Sequence, residues 1–347
     1  MTEADGSSSG GDDDTVTGAL ISVVAAFLYA TGLCIQRAAL TVKDDGVTPP
    51  AGCRGSCCKR HHNLNWTLGL VVYGVGGLFL GTVSLAYIPL SLTSSIFSSV
   101  LIFNAIVAAV WLKESVGTLD IICYVVIMSG ITLSSVYVPK DPAKYTIDEC
   151  AALFHEVGGI MFWVVTLGTL IFLQVLIWRV LEPKYEQEES GYRLATDRVY
   201  RTAMCAYPIT LGIYEGLAYT MLKAGQDSFA RIYAGHTEEM EHWLFWFGLG
   251  LCIPIAAVTI MWVRKSYERF PTTQIFPLEL GALTVVSVNG GLIFYGEYKQ
   301  ASSADLVLIY AGVVLMIASM VTLAFAKSVV PLGRGPHHEP AKGVYHF

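Results

Sequence analysis

Nine apolar stretches of about 20 residues constrain the fold of this chain more than any other feature. In lipid, every backbone N–H and C=O needs a partner within the protein, so a stretch of this length crosses a bilayer as an α-helix. The sequence therefore predicts an all-α polytopic membrane protein with about nine transmembrane helices. The stretches are residues 17–39, 66–87, 91–112, 117–138, 158–181, 202–222, 243–263, 271–295 and 303–326.

The segments between these stretches are short, which leaves no room for a separate soluble domain. Charged residues make up only 14% of the chain, against about 25% in ordinary soluble proteins. We expect residues 1–16 to form a disordered acidic tail, residues 17–327 the transmembrane domain, and residues 328–347 a cytoplasmic tail.

The basic residues predict the orientation of the chain, because Lys and Arg gather on the cytoplasmic side of membrane proteins. If the N-terminus is outside and nine helices follow, 17 of the 22 basic residues lie inside. The outer segments then hold five basic and 14 acidic residues. We therefore predict an outer N-terminus and an inner C-terminus. A negative outer face would concentrate cations, although acidic residues are also tolerated there without any function.

Two stretches have similar sequence patterns, which indicates an internal repeat. Residues 85–115 read LAYIPLSLTSSIFSSVLIFNAIVAAVWLKES, and residues 266–298 read SYERFPTTQIFPLELGALTVVSVNGGLIFYGEY. Each has a tyrosine, a proline, a Ser/Thr-rich helix start, an asparagine and a final acid. Because each copy has an odd number of helices, five, the second copy crosses the membrane in the opposite orientation to the first. We therefore predict inverted repeats at about 17–181 and 202–326. Transporters with inverted repeats bind their substrate near the midplane.

Four short motifs resemble the NIPA-type magnesium transporters of the drug/metabolite transporter superfamily. They are GLCIQRAAL at the end of the first helix, SLTSSIFSSVLIFNAIVAAVWLKES in the third, VYVPKDP after the fourth and VLEPKY after the fifth. The resemblance covers residues from about 17 to 326. It implies two inverted repeats, about nine helices and transport of magnesium.

Two acids in the predicted helices are the strongest candidates for a substrate site. Glu215 interrupts the run ITLGIYEGLAYTML, and Glu279 lies in the eighth stretch at a similar depth. Intramembrane acids face the bundle interior or a wet cavity, and Mg²⁺ is bound through one or two carboxylates while it keeps several waters. We predict that both carboxylates bind the transported cation. The alternative is that each acid is protonated and bonded to a neighbouring helix.

Other polar side chains in the predicted helices are candidates for the outer shell of this site. The same residues would also serve as hydrogen-bonding contacts between helices. Four charged residues near helix ends are predicted to act as gates or as interfacial anchors. The outer-shell candidates are Asn104, Asn289, Thr93, Ser94, Ser98, Gln274 and Tyr219, and the gate or anchor candidates are Glu114, Glu297, Arg37 and Lys223.

Three further features have local explanations. Asp305 is expected at a helix start, where a negative charge is favoured. Thr146 and Glu149 form the pattern of a capping box, which predicts a short helix. The first inner loop is predicted to carry Cys53, Cys57, Cys58, His61 and His62. Both residue types bind zinc, but their spacing matches no standard zinc pattern. Palmitoylation of the cysteines and a free, reduced cluster are the other interpretations.

The function favoured by these features is transport of a divalent cation, most simply Mg²⁺, by alternating access. One alternative is a carrier of an organic solute such as a metabolite or nucleotide sugar, and another is a membrane scaffold that transports nothing. The sequence shows no nucleophile with a base and no nucleotide loop, so we predict neither enzymatic activity nor a cofactor. The expected partners are the cation and the lipid bilayer, not nucleic acid, in the plasma or an endosomal membrane.

Overall fold

A computed structural model describes residues 9–41, 55–111, 117–139, 145–184, 197–233, 235, 237–270 and 272–329. All regular secondary structure within these ranges is helical. The α-helices are α1 (Ser9–Thr41), α2 (Gly55–Gly74), α3 (Gly81–Ser84), α4 (Leu90–Phe97), α5 (Val100–Trp111), α6 (Thr118–Tyr137), α7 (Ile147–Leu153), α8 (Val157–Leu176), α9 (Asp197–Tyr233), α10 (Trp243–Arg269), α11 (Thr272–Asn289) and α12 (Ser303–Val329).

Seven helical segments in the described ranges are long and apolar enough to cross a membrane. This makes the protein an all-α, multi-pass membrane protein, as the sequence predicts. The seven segments are Thr15–Ala39, Leu64–Ser84, Leu90–Trp111, Thr118–Tyr137, Val157–Lys184, Ile275–Phe294 and Ser303–Phe325.

The sixth and seventh predicted stretches lie within α9 and α10, which are 37 and 27 residues long but are not among these seven segments. The sequence places Lys223 at the end of a helix, and this is wrong, because α9 continues to Tyr233. Hydropathy falls after residue 222, but backbone hydrogen bonding does not depend on side-chain polarity. Asp227 also lies one turn after Lys223 and pairs with it, which stabilises the extension.

The cysteine-rich segment differs from its predicted loop structure. α2 begins at Gly55, so Cys57, Cys58, His61 and His62 lie on a helical backbone. Cys53 and the side chains of these four residues lie outside the described part of the chain. The structure therefore gives no geometry for a zinc or palmitoylation site.

Two predicted helix starts are confirmed. The Thr146 hydroxyl accepts from the Glu149 N–H at 3.2 Å, and the Glu149 carboxylate accepts from the Thr146 N–H at 2.8 Å. These two bonds close the capping box of α7. At α12, the Asp305 carboxylate accepts from the Ser302 N–H at 3.1 Å. Both acids therefore satisfy N–H groups that a helix start leaves without a helical partner.

Small residues allow the closest helix contacts. A Cβ atom built on Gly130 of α6 would lie 2.7 Å from the carbonyl oxygen of Gly312 in α12. A Cβ atom on Gly32 of α1 would lie 2.4 Å from the Tyr73 nitrogen in α2. Neither position has space for a side chain, so glycine sets the spacing of both helix pairs. This is the usual device for close packing in membranes.

The helices divide between a lipid-facing surface and a central core. α8 exposes large apolar side chains such as Val164, Ile171 and Phe172, each more than 60% accessible. In contrast, α11 is the most buried of the seven segments. It packs most extensively against α9, and it also contacts α4 and α12. α11 therefore lies at the centre of the bundle, and its side chains are shielded from lipid.

Candidate functional site

Glu215 lies in the middle of α9, and its side chain is 7% exposed. Two tyrosine hydroxyls donate to its carboxylate. Tyr73 of α2 lies 2.5 Å from Oε1, and Tyr29 of α1 lies 3.3 Å from Oε1 and 3.2 Å from Oε2. Hydrogen bonds of this kind offset part of the cost of burying a carboxyl group. Glu215 is thus held by neutral donors from two other helices.

Aromatic rings fix the position of these hydroxyls. The Tyr29 and Tyr73 rings lie 4.3 Å apart. Tyr29 also contacts Phe97 of α4 at 5.2 Å and Phe276 of α11 at 6.3 Å between ring centroids. Side chains from α1, α2, α4, α9 and α11 therefore converge around Glu215.

Glu279 lies on α11, is 1% exposed, and faces the same part of α9. Gly212, one turn before Glu215, packs directly on the backbone of Glu279. A Cβ atom on Gly212 would lie 2.1 Å from the Glu279 carbonyl oxygen. The two predicted acids therefore lie on closely packed neighbouring helices, and both side chains are buried.

Tyr219 follows Glu215 by one helical turn. Its ring lies 5.9 Å from Phe97, and its hydroxyl donates to the carbonyl oxygen of Gly77 at 2.7 Å. Gly77 belongs to a π-helical segment, Val75–Leu80, that connects α2 and α3. Such segments are frequent at functional sites. Tyr219 thus borders the acid pair on one side and contacts an irregular part of α2 on the other.

The predicted outer-shell serines and threonine lie on α4 or, in the case of Ser98, directly after it, and all are buried. Thr93 and Ser94 donate to carbonyl oxygens of their own helix, Pro89 at 3.0 Å and Ser91 at 3.0 Å. Ser98 donates to the Ser94 carbonyl at 3.0 Å and shares a hydrogen bond of 2.9 Å with Thr284 of α11. Only Ser98 therefore makes a hydrogen bond that links α4 to the helix of Glu279.

The two predicted asparagines bond away from the acid pair. Asn289 accepts from the Tyr310 hydroxyl of α12 at 3.0 Å. The Asn104 side-chain oxygen lies 3.4 Å from the Cys34 thiol of α1. Both contacts join neighbouring helices. The side chain of Gln274 lies outside the described part of the chain.

The charged gate or anchor candidates differ in environment. Glu297 and Lys223 are each 2% exposed, whereas Arg37 is partly exposed near the end of α1. Glu114 lies outside the described ranges. Tyr145 lies near Glu297, and its hydroxyl donates to the carbonyl oxygen of Tyr295. Burial, together with the charge of Glu297, raises the pKa of Tyr145 to about 12, so it remains a donor at neutral pH.

Sequence reasoning missed Tyr29 and Tyr73 as site residues. A signal for Tyr29 was present, because the first and sixth stretches both carry a tyrosine and small residues in mid-span. Nothing in the sequence distinguishes Tyr73 from the other 17 tyrosines.

An apolar cavity of 460 Å³ lies elsewhere, between the π-helical segment Val75–Leu80 and the helices α3, α7, α9 and α10. Its lining includes Leu78, Phe79, Phe154 and Phe245 but neither of the two acids. Hard cations such as Mg²⁺ take oxygen ligands, so this cavity is not suited to them. Within the described residues, no group of three or more His, Cys, Asp or Glu side chains comes together. The acid pair with its hydroxyls is the cluster best suited to a hydrated cation.

Comparisons with known proteins indicate the family to which the chain belongs. A family model named magnesium transporter NIPA matches residues 13–329. A probable magnesium transporter of Candida albicans is 22% identical over 274 residues, which are 77% of this chain and 67% of the relative. Magnesium transporter NIPA4 of Homo sapiens is 22% identical over 254 residues, 73% of this chain and 58% of the relative. Probable magnesium transporter NIPA1 of Arabidopsis thaliana is 19% identical over 332 residues, 95% of this chain and 92% of the relative.

No solved structure matches this chain. The match to the human relative spans less than two thirds of that relative's length. The family model, however, covers all seven membrane-crossing segments and both acids of the central cluster. The chain therefore belongs to the magnesium transporter NIPA family and is a membrane transporter, not an enzyme.

Proposed function

We propose that the protein carries a divalent cation, most simply Mg²⁺, across its membrane by alternating access, with Glu215 and Glu279 as the cation ligands. The observation that carries the proposal is the pair of buried carboxylates on adjacent helices, α9 and α11, in the middle of an apolar bundle. Burying one charge at the centre of a bilayer costs at least about 2.5–3.5 kcal/mol. A bound cation of opposite charge offsets this cost for both acids together.

The neighbouring groups favour a hydrated ion. Mg²⁺ gives up its water reluctantly and is usually held by one or two carboxylates and several waters. Tyr29 and Tyr73 donate to Glu215, and each phenolic oxygen also accepts hydrogen bonds. The same hydroxyls are therefore able to receive hydrogen bonds from metal-bound water. The relatives named magnesium transporters support Mg²⁺ as the cation.

The proposed architecture has nine helices in two inverted repeats, with the N-terminus outside. Three observations support it: the uneven distribution of basic residues between the two sides, the similarity of residues 85–115 to residues 266–298, and the pattern of helix pairs. The sixth and eighth predicted helices, α9 and α11, pack together, as do the first and third, α1 with α4 and α5. The fourth and ninth, α6 and α12, form another close pair. We place the protein in the plasma membrane or an endosomal membrane.

The test is uptake of Mg²⁺ into liposomes that contain the purified protein and a Mg²⁺-sensitive dye. We expect Glu215→Gln and Glu279→Gln each to abolish uptake, because each removes one of two ligand charges. Glu156→Gln is the matched control, since Glu156 is a half-exposed carboxylate paired with Lys299 at 3.3 Å. It should leave uptake unchanged.

Two results would overturn the proposal. The first is uptake by both Gln variants at the rate of the parent, which would remove the acids from the mechanism. The second is no Mg²⁺ uptake by a parent protein that elutes as a single folded species. That result would favour an organic solute or a role without transport.

A further inference from the structure

Glu297 joins the two halves of the chain at one end of the bundle. Its carboxylate accepts from the Leu90 N–H at 3.1 Å and from the Ser91 hydroxyl. Leu90 and Ser91 begin α4, whereas Glu297 follows α11, more than 200 positions later. The N–H groups at a helix start have no helical partners, and the helix dipole favours a negative charge there. Glu297 thus caps a helix that belongs to the other half of the protein.

Other buried bonds surround this cap. Lys223 of α9 donates to the Leu85 carbonyl at 3.1 Å and pairs with Asp227 at 3.3 Å. Its charge also acts on Glu297. The Tyr295 hydroxyl donates to the carbonyl oxygen of Thr220 in α9 at 2.6 Å. The turn before α4 is therefore held by polar groups of the second half of the chain.

The packing is tight at this point. A Cβ atom on Gly291 would lie 2.6 Å from the Glu297 carboxylate and 2.7 Å from the Ser91 nitrogen. Gly291 lies in a π-helical segment, Gly290–Phe294, directly after α11. An irregular helix makes fewer regular hydrogen bonds and often marks a site that moves or functions. Close packing and irregular backbone thus meet at the cap.

The cap lies between the acid pair and one membrane surface. Lys223 follows Glu215 by eight residues on α9, which is about 12 Å along a helix. Tyr298 and Lys299, next to Glu297, are 43% and 54% exposed. A cation moving between that surface and Glu215 has to pass the level of the Glu297 cap.

We propose that Glu297, bonded to Leu90 and Ser91, is the latch of a gate that closes this end of the transport route. The route is part of the proposed function, but the state of the latch can be measured without any cation. Bonds of this type suit a gate. When it opens, water replaces the protein partners of Glu297 and Lys223, and the regained hydration offsets the lost bonds. Closed and open states then differ little in free energy, as a two-state element requires.

The test measures the reaction of a buried thiol with a membrane-impermeant methanethiosulfonate reagent. Ser94→Cys supplies the thiol, because Ser94 is 4% exposed and lies one turn deeper than Ser91 on α4. Tyr298→Cys, in a separate sample, identifies the membrane face that carries the latch. The parent chain gives the background from its own cysteines. Reagent is added only to the face that labels Tyr298→Cys.

We expect the Ser94→Cys thiol to react slowly, and Glu297→Gln to speed its reaction. The amide keeps one acceptor but loses the charge, and a charge-assisted hydrogen bond is about twice as strong as a neutral one. The expected acceleration is about tenfold, which corresponds to about 1.4 kcal/mol. Ser91→Ala removes one donor and should also speed the reaction. Glu156→Gln, an exposed carboxylate at the same end, should not.

The proposal is overturned if neither Glu297→Gln nor Ser91→Ala speeds the labelling while Tyr298→Cys still reacts at its usual rate. It is also overturned if Glu156→Gln has the same effect. The outcome is separable from that of the proposed function. If the variants label faster but the parent protein takes up no Mg²⁺, the latch is supported and Mg²⁺ transport is refuted. If the parent takes up Mg²⁺ but the variants label no faster, only the latch is refuted.

Discussion

The contact between Gly212 and Glu279 gives the sharpest test of the acid pair. In Gly212→Ala, the new methyl carbon would lie 2.1 Å from the Glu279 carbonyl oxygen and 2.8 Å from the Leu283 nitrogen. Carbon–oxygen contacts of this kind settle at about 3.3 Å or more. The obstacle is backbone, so no side-chain rotation relieves it. α9 and α11 would have to separate by roughly 1.2 Å, the difference between the two distances.

The effect of Gly212→Ala on the free energy of unfolding follows from general values. Forcing a methyl group into a packed interior costs about 1–3 kcal/mol, and a backbone clash belongs at the upper end. Alanine favours a helix over glycine by about 1 kcal/mol, which leaves a net loss of about 2 kcal/mol. At about 2 °C per kcal/mol for a large chain, the unfolding temperature falls by about 4 °C. Mg²⁺ uptake should also fall, because Glu279 moves relative to Glu215.

Gly225→Ala is the matched control on the same helix. No heavy atom lies within 4 Å of a Cβ atom at Gly225, so this variant should gain up to about 1 kcal/mol from helix propensity. Both unfolding temperatures are measured on purified protein in the same detergent, and uptake is measured in liposomes. If Gly212→Ala is as stable as Gly225→Ala and transports equally well, the close contact of α9 with α11 does not set the site.

Two further predictions follow from single hydrogen bonds. Tyr73→Phe removes a donor to Glu215, and we expect a loss of about 1.5–3 kcal/mol in unfolding experiments together with slower Mg²⁺ uptake. Tyr310→Phe, which removes a more exposed hydroxyl, should cost less, and equal losses would contradict this role of Tyr73. Hydrogen bonds from Thr146 lower the pKa of Glu149 below its ordinary value of 4.5. Glu149 therefore stabilises Ile147–Leu153 above that value, and this contribution is lost as the pH falls through the lowered pKa. The protection factors of these amides, which are exchange rates corrected for the intrinsic effect of pH, should fall at acidic pH more in the parent than in Glu149→Gln, and identical profiles would refute the assignment.

Much of the helical architecture follows from the sequence, because lipid leaves the backbone few alternatives to a helix. The ends of helices do not follow so directly. The segment after residue 222 is polar enough to resemble a loop, yet α9 continues for 11 further residues. Lys223 is buried there since Asp227 and the Leu85 carbonyl supply its partners. Leu85 lies 138 positions before Lys223 in the chain, and no local sequence pattern predicts a contact over that distance.

In the candidate site, too, the sequence predicts some features and not others. Glu215 and Glu279 stand out because a carboxylate is costly in an apolar run. Tyr73 does not stand out, and Tyr29 has only its mid-span position as a signal, since tyrosine is common in membrane helices near interfaces. Their hydroxyls meet Glu215 from 186 and 142 positions away. Asn289 stands out as a polar residue, but its partner Tyr310 lies on α12. Polarity alone predicts that a buried group has a partner, but not which one.

The two buried acids that receive hydroxyl donors differ in one respect that matters for transport. Two donors from α4 satisfy the oxygens of Glu297, and Lys223 acts on it electrostatically. The partners of Glu215 in this structure are the neutral hydroxyls of Tyr29 and Tyr73. Neutral donors lower the cost of burying a carboxylate but supply no positive charge to it. A mobile cation can therefore gain by binding at Glu215 and has less to gain at Glu297, which is the distinction expected between a substrate site and a latch.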